Sequence, residues 1–519
     1  MAESAHPYPS LSANMTLRSN PSGSRSSSHH EKSPDISKPS SHRSPSTGTP
    51  MILQNGFQVG PEANEKAHFD QKLGFRERIR HFTWTWFCMT MATGGIANVL
   101  YTVPLRFHGL FAIGCIFFIL NMVLFIFNVV MISIRFYIYP HTFRASFLHP
   151  TENLFIPASL ISFGTILVNV SQYGVPAAGQ WLEDAMVVMF WFYCALAIVF
   201  SVGIYLIMWS TTTFTISQMT PIWIFPAYPL LIAGPHAGNL AQKTGGNRAL
   251  DIIVGGIILQ GIGFMVSTMI YAAFMYRLMT QKLPRESTRP GMFISVGPSG
   301  FTISGIVSMG NMLPKCVPAD FMGDGHLTGQ ITRVLANWVG IWLWGLAMWF
   351  FFVSVGAHWA PATRGRMDFA MTWYSFVFPN TALTTATFSV AKALDNNRAL
   401  QIVGCVLTCG LIVVWSFVFF MMIRAVVTHQ ILWPQKQEDR NEGGFKTLAA
   451  HSETREQRKL TRSNTFEMPA QPPDTPDPEM HPPAPTPLMR TPFHSDTDLT
   501  KCQGHNNDQN ASLKPSTRA

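Results

Sequence analysis

His236 is the only ionisable residue well inside a long apolar run, in Ala233-Gly234-Pro235-His236-Ala237-Gly238. An ionisable group at membrane depth points to function. Its ordinary pKa of about 6.5 lets an imidazole assist an acid anion or take up a co-transported proton near neutral pH. A structural role is equally open, a bond to a carbonyl freed by Pro235. Other chemistry lacks its residues: the chain has no nucleophile elbow, P-loop or H-E-x-x-H, and no carboxylate pair lies within an apolar run. Cys405 and Cys409 share a helix face, but no His or carboxylate stands near to complete a metal site. No catalytic residue, cofactor or metal is therefore expected, and neither an enzyme nor an ATP-driven pump fits.

The remaining candidates are small, polar or cationic. Gly94, Gly95, Gly164, Gly234, Gly300 and Gly305 fall near the middle of their runs. They either leave the open volume of a pore or let helices approach closely in a dry bundle. Thr90, Thr93, Asn98, Ser295, Ser304, Thr381, Thr384 and Thr385 can replace part of a carboxylate's hydration, or bond their own helix backbone. Lys315, Arg333 and Lys392 fall at one set of run ends, and Arg80, Arg364 and Arg366 at the other. There they steer anions toward the mouths of a pathway.

These residues are carried by ten runs long enough to cross a hydrocarbon core of about 30 Å: 84–103, 109–134, 154–173, 184–208, 222–241, 252–276, 293–314, 333–357, 369–390 and 400–426. The odd runs recur at a step of about 70 residues, so each unit reads as a helix, a turn and a return helix. Pro157, Pro226, Pro229, Pro235, Pro298 and Pro379 all fall in odd runs and none in even ones. Broken helices are tolerated in lipid where they pack on protein or line a wet cavity. The odd helices are therefore expected inside, and the even ones, rich in Leu, Ile, Val, Phe and Trp, against lipid or another subunit.

Charge agrees with a membrane protein. Only 13% of the 519 residues are charged and the net charge is +9, where a soluble chain carries about 25% charged. Residues 76–433 hold all of that net charge, without the compact basic stripe of a nucleic-acid binder. With both tails cytoplasmic, the inner loops hold fifteen Lys/Arg and the outer loops seven, which favours that orientation. Residues 1–75 and 434–519 are rich in Ser, Pro and His or in Pro and charge, and read as disordered cytoplasmic tails. Ser44 and Ser46 follow Arg43, and Ser463 and Thr465 follow Arg458, Lys459 and Arg462. That spacing suits a basophilic kinase acting on the tails.

Two stretches of run 1, Arg80-His81-Phe82-Thr83-Trp84-Thr85-Trp86-Phe87 and Thr90-Met91-Ala92-Thr93-Gly94-Gly95-Ile96-Ala97, resemble the opening of fungal malic acid transporters. His149-Pro150-Thr151-Glu152 and the stretch from Pro221 to Gly238 resemble the same proteins. Over about 76–433 the chain is similar to the tellurite-resistance/C4-dicarboxylate transporter family, which includes plant slow anion channels and sulfite efflux pumps. The resemblance implies an all-α polytopic membrane fold of ten transmembrane helices, paired as five hairpins around a quasi-five-fold pore. It implies a homotrimer with one pore per subunit and a pore-blocking Phe on the ninth helix: Phe378 in Trp373-Tyr374-Ser375-Phe376-Val377-Phe378-Pro379, with Phe376 second. The implied function is carriage of C4-dicarboxylates, chiefly malate, across the plasma membrane, with or without protons. A sulfite or other inorganic-anion exporter is the alternative within transport, and a membrane receptor that signals through its tails the alternative outside it.

Overall fold

Long apolar runs without proline become long helices, and runs interrupted by proline and glycine become short ones. The structure is a computed structural model that describes residues 74–433 apart from 212, 287 and 365–368, and omits the side chains of 360, 361 and 364. Both tails, with Ser44, Ser46, Ser463 and Thr465, lie outside the described residues, as do Arg366 and the Arg364 side chain.

In chain order the main helices are α1 (Phe87–Thr102), α2 (Leu110–Ile138), α3 (Ile156–Asn169), α4 (Gln180–Thr211), α5 (Tyr228–Ala241), α6 (Gly246–Gln281), α7 (Gly297–Cys316), α8 (Gly325–Arg364), α9 (Phe378–Ala393) and α10 (Arg398–Val427). Helices are the only regular elements among the described residues. Seven helical stretches are long and apolar enough to cross a membrane: the five even helices and the stretches Asn153–Ala178 and Arg289–Cys316 that contain α3 and α7. The other three expected spans contain α1, α5 and α9, helices of 16, 14 and 16 residues diluted by Gly, Thr, Asn and Pro.

Each odd helix packs on the next odd one, and α9 packs back on α1, so the contacts close into a ring. Each even helix wedges between two odd ones: α2 on α1 and α3, α4 on α3 and α5, α6 on α5 and α7, α8 on α7 and α9, and α10 on α9 and α1. Burial follows. The apolar stretches of α3 and α7 are 83% buried, against 17, 33, 39, 22 and 28% for α2, α4, α6, α8 and α10. The exposed faces carry large apolar side chains such as Trp342, Val406 and Phe420, a surface that suits hydrocarbon.

The prolines act differently from kinks. Every odd helix opens with a 3₁₀ turn, at Trp84–Trp86, Asn153–Phe155, Pro221–Ala227, Arg289–Val296 or Met371–Phe376. Pro157, Pro229, Pro298 and Pro379 then occupy the first turn of the α segment. A proline there loses no hydrogen bond and its fixed φ suits the helix. Of the six, only Pro235 lies in an α-helix interior, while Pro226 lies within a 3₁₀ lead-in.

A buried ion pair ties the lead-in of α1 to its neighbours. Arg135 at the end of α2 donates to Glu152 at 2.5 Å, with 0% and 3% of the two side chains exposed. Arg135 also donates to the Phe82 carbonyl at 3.0 Å, and Ser146 of the short helix His141–Leu148 donates to Glu152 at 3.0 Å. His149 Nδ1 accepts from the Glu152 amide at 3.1 Å and so sets the turn that presents the carboxylate. The His149-Pro150-Thr151-Glu152 motif is thus a clasp, and Arg135, counted from sequence among the inner loop charges, is a core residue.

Candidate functional site

At the C-terminal ends of the odd helices lies a polar cavity of about 310 Å³. Four inner helices line it at matching heights. α1 and the residues after it supply Asn98, Tyr101, Thr102 and Arg106; α5 supplies Pro235, Asn239 and Gln242. α7 supplies Ser304, Val307, Ser308 and Asn311, and α9 supplies Thr385, Phe388, Ser389 and Lys392. The lining holds two cations and no carboxylate. Lys392 stands in the last turn of α9, where a cation complements the helix end. Arg106 lies over the Tyr101 ring at 5.5 Å and donates to the Tyr101 carbonyl at 3.1 Å. Amides and hydroxyls complete the wall, and neighbouring helices hold them in place: Gln242 donates to Ser308 at 2.9 Å, and Gln172 at the end of α3 donates to Asn98 at 2.7 Å and Asn239 at 3.1 Å. Such a vestibule attracts an anion by charge, and the donors it offers are cationic and amide N–H groups, because the Thr102, Ser304, Thr385 and Ser389 hydroxyls donate to their own helix backbones.

Toward the other end of the ring aromatic side chains of three inner helices pack together. Phe378, the first residue of α9, is 2% exposed. Its ring packs on Phe301 of α7 at 5.2 Å and on Tyr228 of α5 at 6.1 Å. Tyr228 is pinned by donating to the Ile294 carbonyl at 2.5 Å. The space beside these rings, bordered also by Cys88 and Met91 of α1, is about 10 Å³, room for no more than a single water. Phe376 faces elsewhere: its half-buried ring meets Phe293, Trp373 and His358 of α8.

The six candidate glycines sit at helix contacts. A side chain at Gly94 would meet Thr165 and Asn121, at Gly95 Thr381, at Gly164 Tyr193, and at Gly234 Gln260. At Gly300 it would meet the Ala382 backbone, and at Gly305 that of Gly234. His236 is fully buried, its ring against Phe190 at 5.3 Å and Tyr193 at 6.3 Å, both on α4. Neither ring nitrogen has a hydrogen-bond partner among the described residues, so the bond expected to a carbonyl freed by Pro235 is not made. Pro235 and Asn239 of the same helix border the vestibule, and His236 is not among its lining residues.

Of the mouth charges, Lys392 reaches the vestibule, whereas Lys315 and Arg333 are exposed and outside its lining. Arg80 lies over the Tyr139 ring at 5.9 Å. Among the polar candidates, Asn98, Ser304 and Thr385 line the vestibule. Thr90, Thr93, Ser295, Thr381 and Thr384 lie outside that lining, and their hydroxyls, like those of Ser304 and Thr385, donate to their own helix backbones. Arg106, Asn239, Gln242, Ser308 and Asn311 were not singled out from sequence as site residues. Their signal is a shared spacing, i, i+4, i+7, at 235/239/242, 304/308/311 and 385/389/392.

Comparison with known proteins accords with this geometry. The chain is 31% identical over 364 residues to the malic acid transport protein of Schizosaccharomyces pombe, covering 70% of this chain and 82% of that one. A putative malic acid transport protein of the same yeast is 30% identical, with 71% and 85% covered. The sulfite efflux pump of Arthroderma otae is 25% identical, with 73% of this chain and all of that one covered. Residues 81–423 match the voltage-dependent anion channel model, and on that match the chain belongs to the SLAC1 anion channel family.

Proposed function

We propose that this protein carries C4-dicarboxylate anions, chiefly malate, across a membrane through the ring of odd helices. The observation that carries the reading is the vestibule: Arg106, Lys392 and a wall of amides and hydroxyls, without a carboxylate, above the Phe378 ring. A dianion entering it exchanges hydration water for two cations and amide N–H donors, and then meets the aromatic constriction. Similarity to the two yeast proteins favours malate over other anions. The weaker similarity to the sulfite pump keeps sulfite efflux as the second reading. Uptake of labelled malate by cells lacking their own carrier, with succinate, sulfite and chloride as competitors, tests the two. Competition by succinate supports the first, and competition by sulfite alone supports the second.

The finer arrangement belongs to the same proposal. Ten crossings pair as five hairpins around a quasi-five-fold axis, with Phe378 as the gate and both tails cytoplasmic at a plasma membrane. The subunits form a homotrimer through their exposed even helices. A kinase acting on Ser44, Ser46, Ser463 or Thr465 adds about −1.5 to −2 charges with each phosphate and so tunes transport. A closed ring of odd helices, even helices exposed to hydrocarbon, and cations at the vestibule support this arrangement.

Two outcomes follow. Neutralising both vestibule cations, Arg106→Gln with Lys392→Gln, is expected to raise KM for malate about tenfold at low salt. The gap should narrow as salt screens the wild-type charges. A KM unchanged at low salt would remove the cations from substrate capture. His236→Phe keeps an aromatic ring against Phe190 and Tyr193, and is expected to leave the pH profile of uptake unchanged at equal dianion concentration. A flattened profile would place the imidazole on a proton route.

A further inference from the structure

Gln172 lies in a π-helical turn, Val170–Gly174, that extends α3. Such turns are rare and frequently mark functional sites. Its side chain is behind the vestibule wall and the residue is 1% exposed. Nε2 donates to Asn98 Oδ1 of α1 at 2.7 Å and to Asn239 Oδ1 of α5 at 3.1 Å. Its own Oε1 is buried without a partner among the described residues. A buried polar atom left unpaired calls for an explanation, and the geometry of the two asparagines supplies one.

Each asparagine carries an acceptor oxygen and a donor nitrogen on one planar group, so the amide can present either to the cavity. An anion is repelled by the first and held by the second. Gln172 has two N–H hydrogens and spends both on the two Asn oxygens. Asn98 is thereby turned so that its Nδ2 is the end left for the vestibule. Asn239 Nδ2 donates to the Pro235 carbonyl at 2.8 Å, occupying another acceptor on a residue of the cavity wall.

We propose that Gln172 is a positioning residue for substrate: it locks the Asn98 and Asn239 amides so that these two side chains hide their oxygens and leave N–H groups for the vestibule, and thereby sets the preference for dicarboxylates over monovalent anions. The inference rests on the anion-transport reading above.

The test uses the full chain in liposomes. Gln172→Met is similar in length but has no donor, and Gln172→Glu offers only acceptors. Both are expected to raise KM for malate, the Met variant about tenfold, the equivalent of a lost charge-assisted contact. The maximal rate should hold, and the ratio of malate to chloride flux should fall. Asn98→Asp, which faces an acceptor to the cavity while Gln172 is intact, is expected to move KM and that ratio the same way, and covers the case of a Gln172 variant that fails to fold. If folded variants keep the wild-type KM and anion order while losing only rate or stability, Gln172 merely packs and the proposal falls. A wild-type protein that moves no anion overturns the transport reading and this one with it.

Discussion

Phe378→Ala is expected to raise malate flux about tenfold, the equivalent of lowering the barrier by about 1.4 kcal/mol. The Phe378 ring packs on Phe301 and Tyr228, and the free space bordered by Phe378 and Tyr228 is only about 10 Å³. Truncation to a methyl group removes the part of the residue that borders it. The cost is stability, because a buried Phe→Ala change destabilises by about 3–5 kcal/mol. Flux must therefore be normalised to inserted protein. Phe376→Ala is the control: its ring packs on Phe293, His358 and Trp373 rather than on Phe301 and Tyr228. It should lower stability without raising flux. Increased flux in the Phe376 variant alone would move the gate to that residue, and unchanged flux in both would remove the aromatic plug from the path.

The second large effect is on folding. Glu152→Gln leaves the Arg135 guanidinium buried without its counter-charge, with the Phe82 carbonyl as a neutral acceptor beside it. Removing one partner of a buried ion pair costs about 3–5 kcal/mol, enough to unfold many proteins. We expect a sharp fall in the detergent-solubilised Tm and in yield at the membrane. Replacing both partners by apolar residues, Arg135→Met with Glu152→Leu, should recover much of the loss, since the stranded charge is gone. Equal losses in the single and double variants would show that the two residues are not coupled. The clasp also holds the approach to α1, so the single variant that survives should show altered flux as well.

The chain's hydropathy and proline pattern located the helical stretches, with ends off by up to eight residues at α8, and separated inner from outer helices. Odd and even helices differ in composition because they meet different surroundings, and composition is readable along one dimension. The role of the prolines was misread: a count places them in odd runs, but only the backbone shows that four of them begin an α segment after a 3₁₀ turn.

The rotation of each inner helix about its axis was decided by the tertiary structure. A surface helix announces its buried face by periodicity, but α5 is buried nearly all round, with Asn239 its one partly exposed residue. Nothing in the local sequence shows that Gly234 turns toward Gln260 or His236 toward Phe190. The pairing of Arg135 with Glu152 and of Gln172 with Asn98 and Asn239 joins residues 17, 74 and 67 positions apart. Partners at such separations are chosen by how the helices pack. The sequence by itself therefore determined that this is a helical membrane protein with proline-bearing inner helices and an excess of positive charge. The polar groups that face the anion's path were settled only in three dimensions, because packing sets the rotation of a helix that is buried on every side.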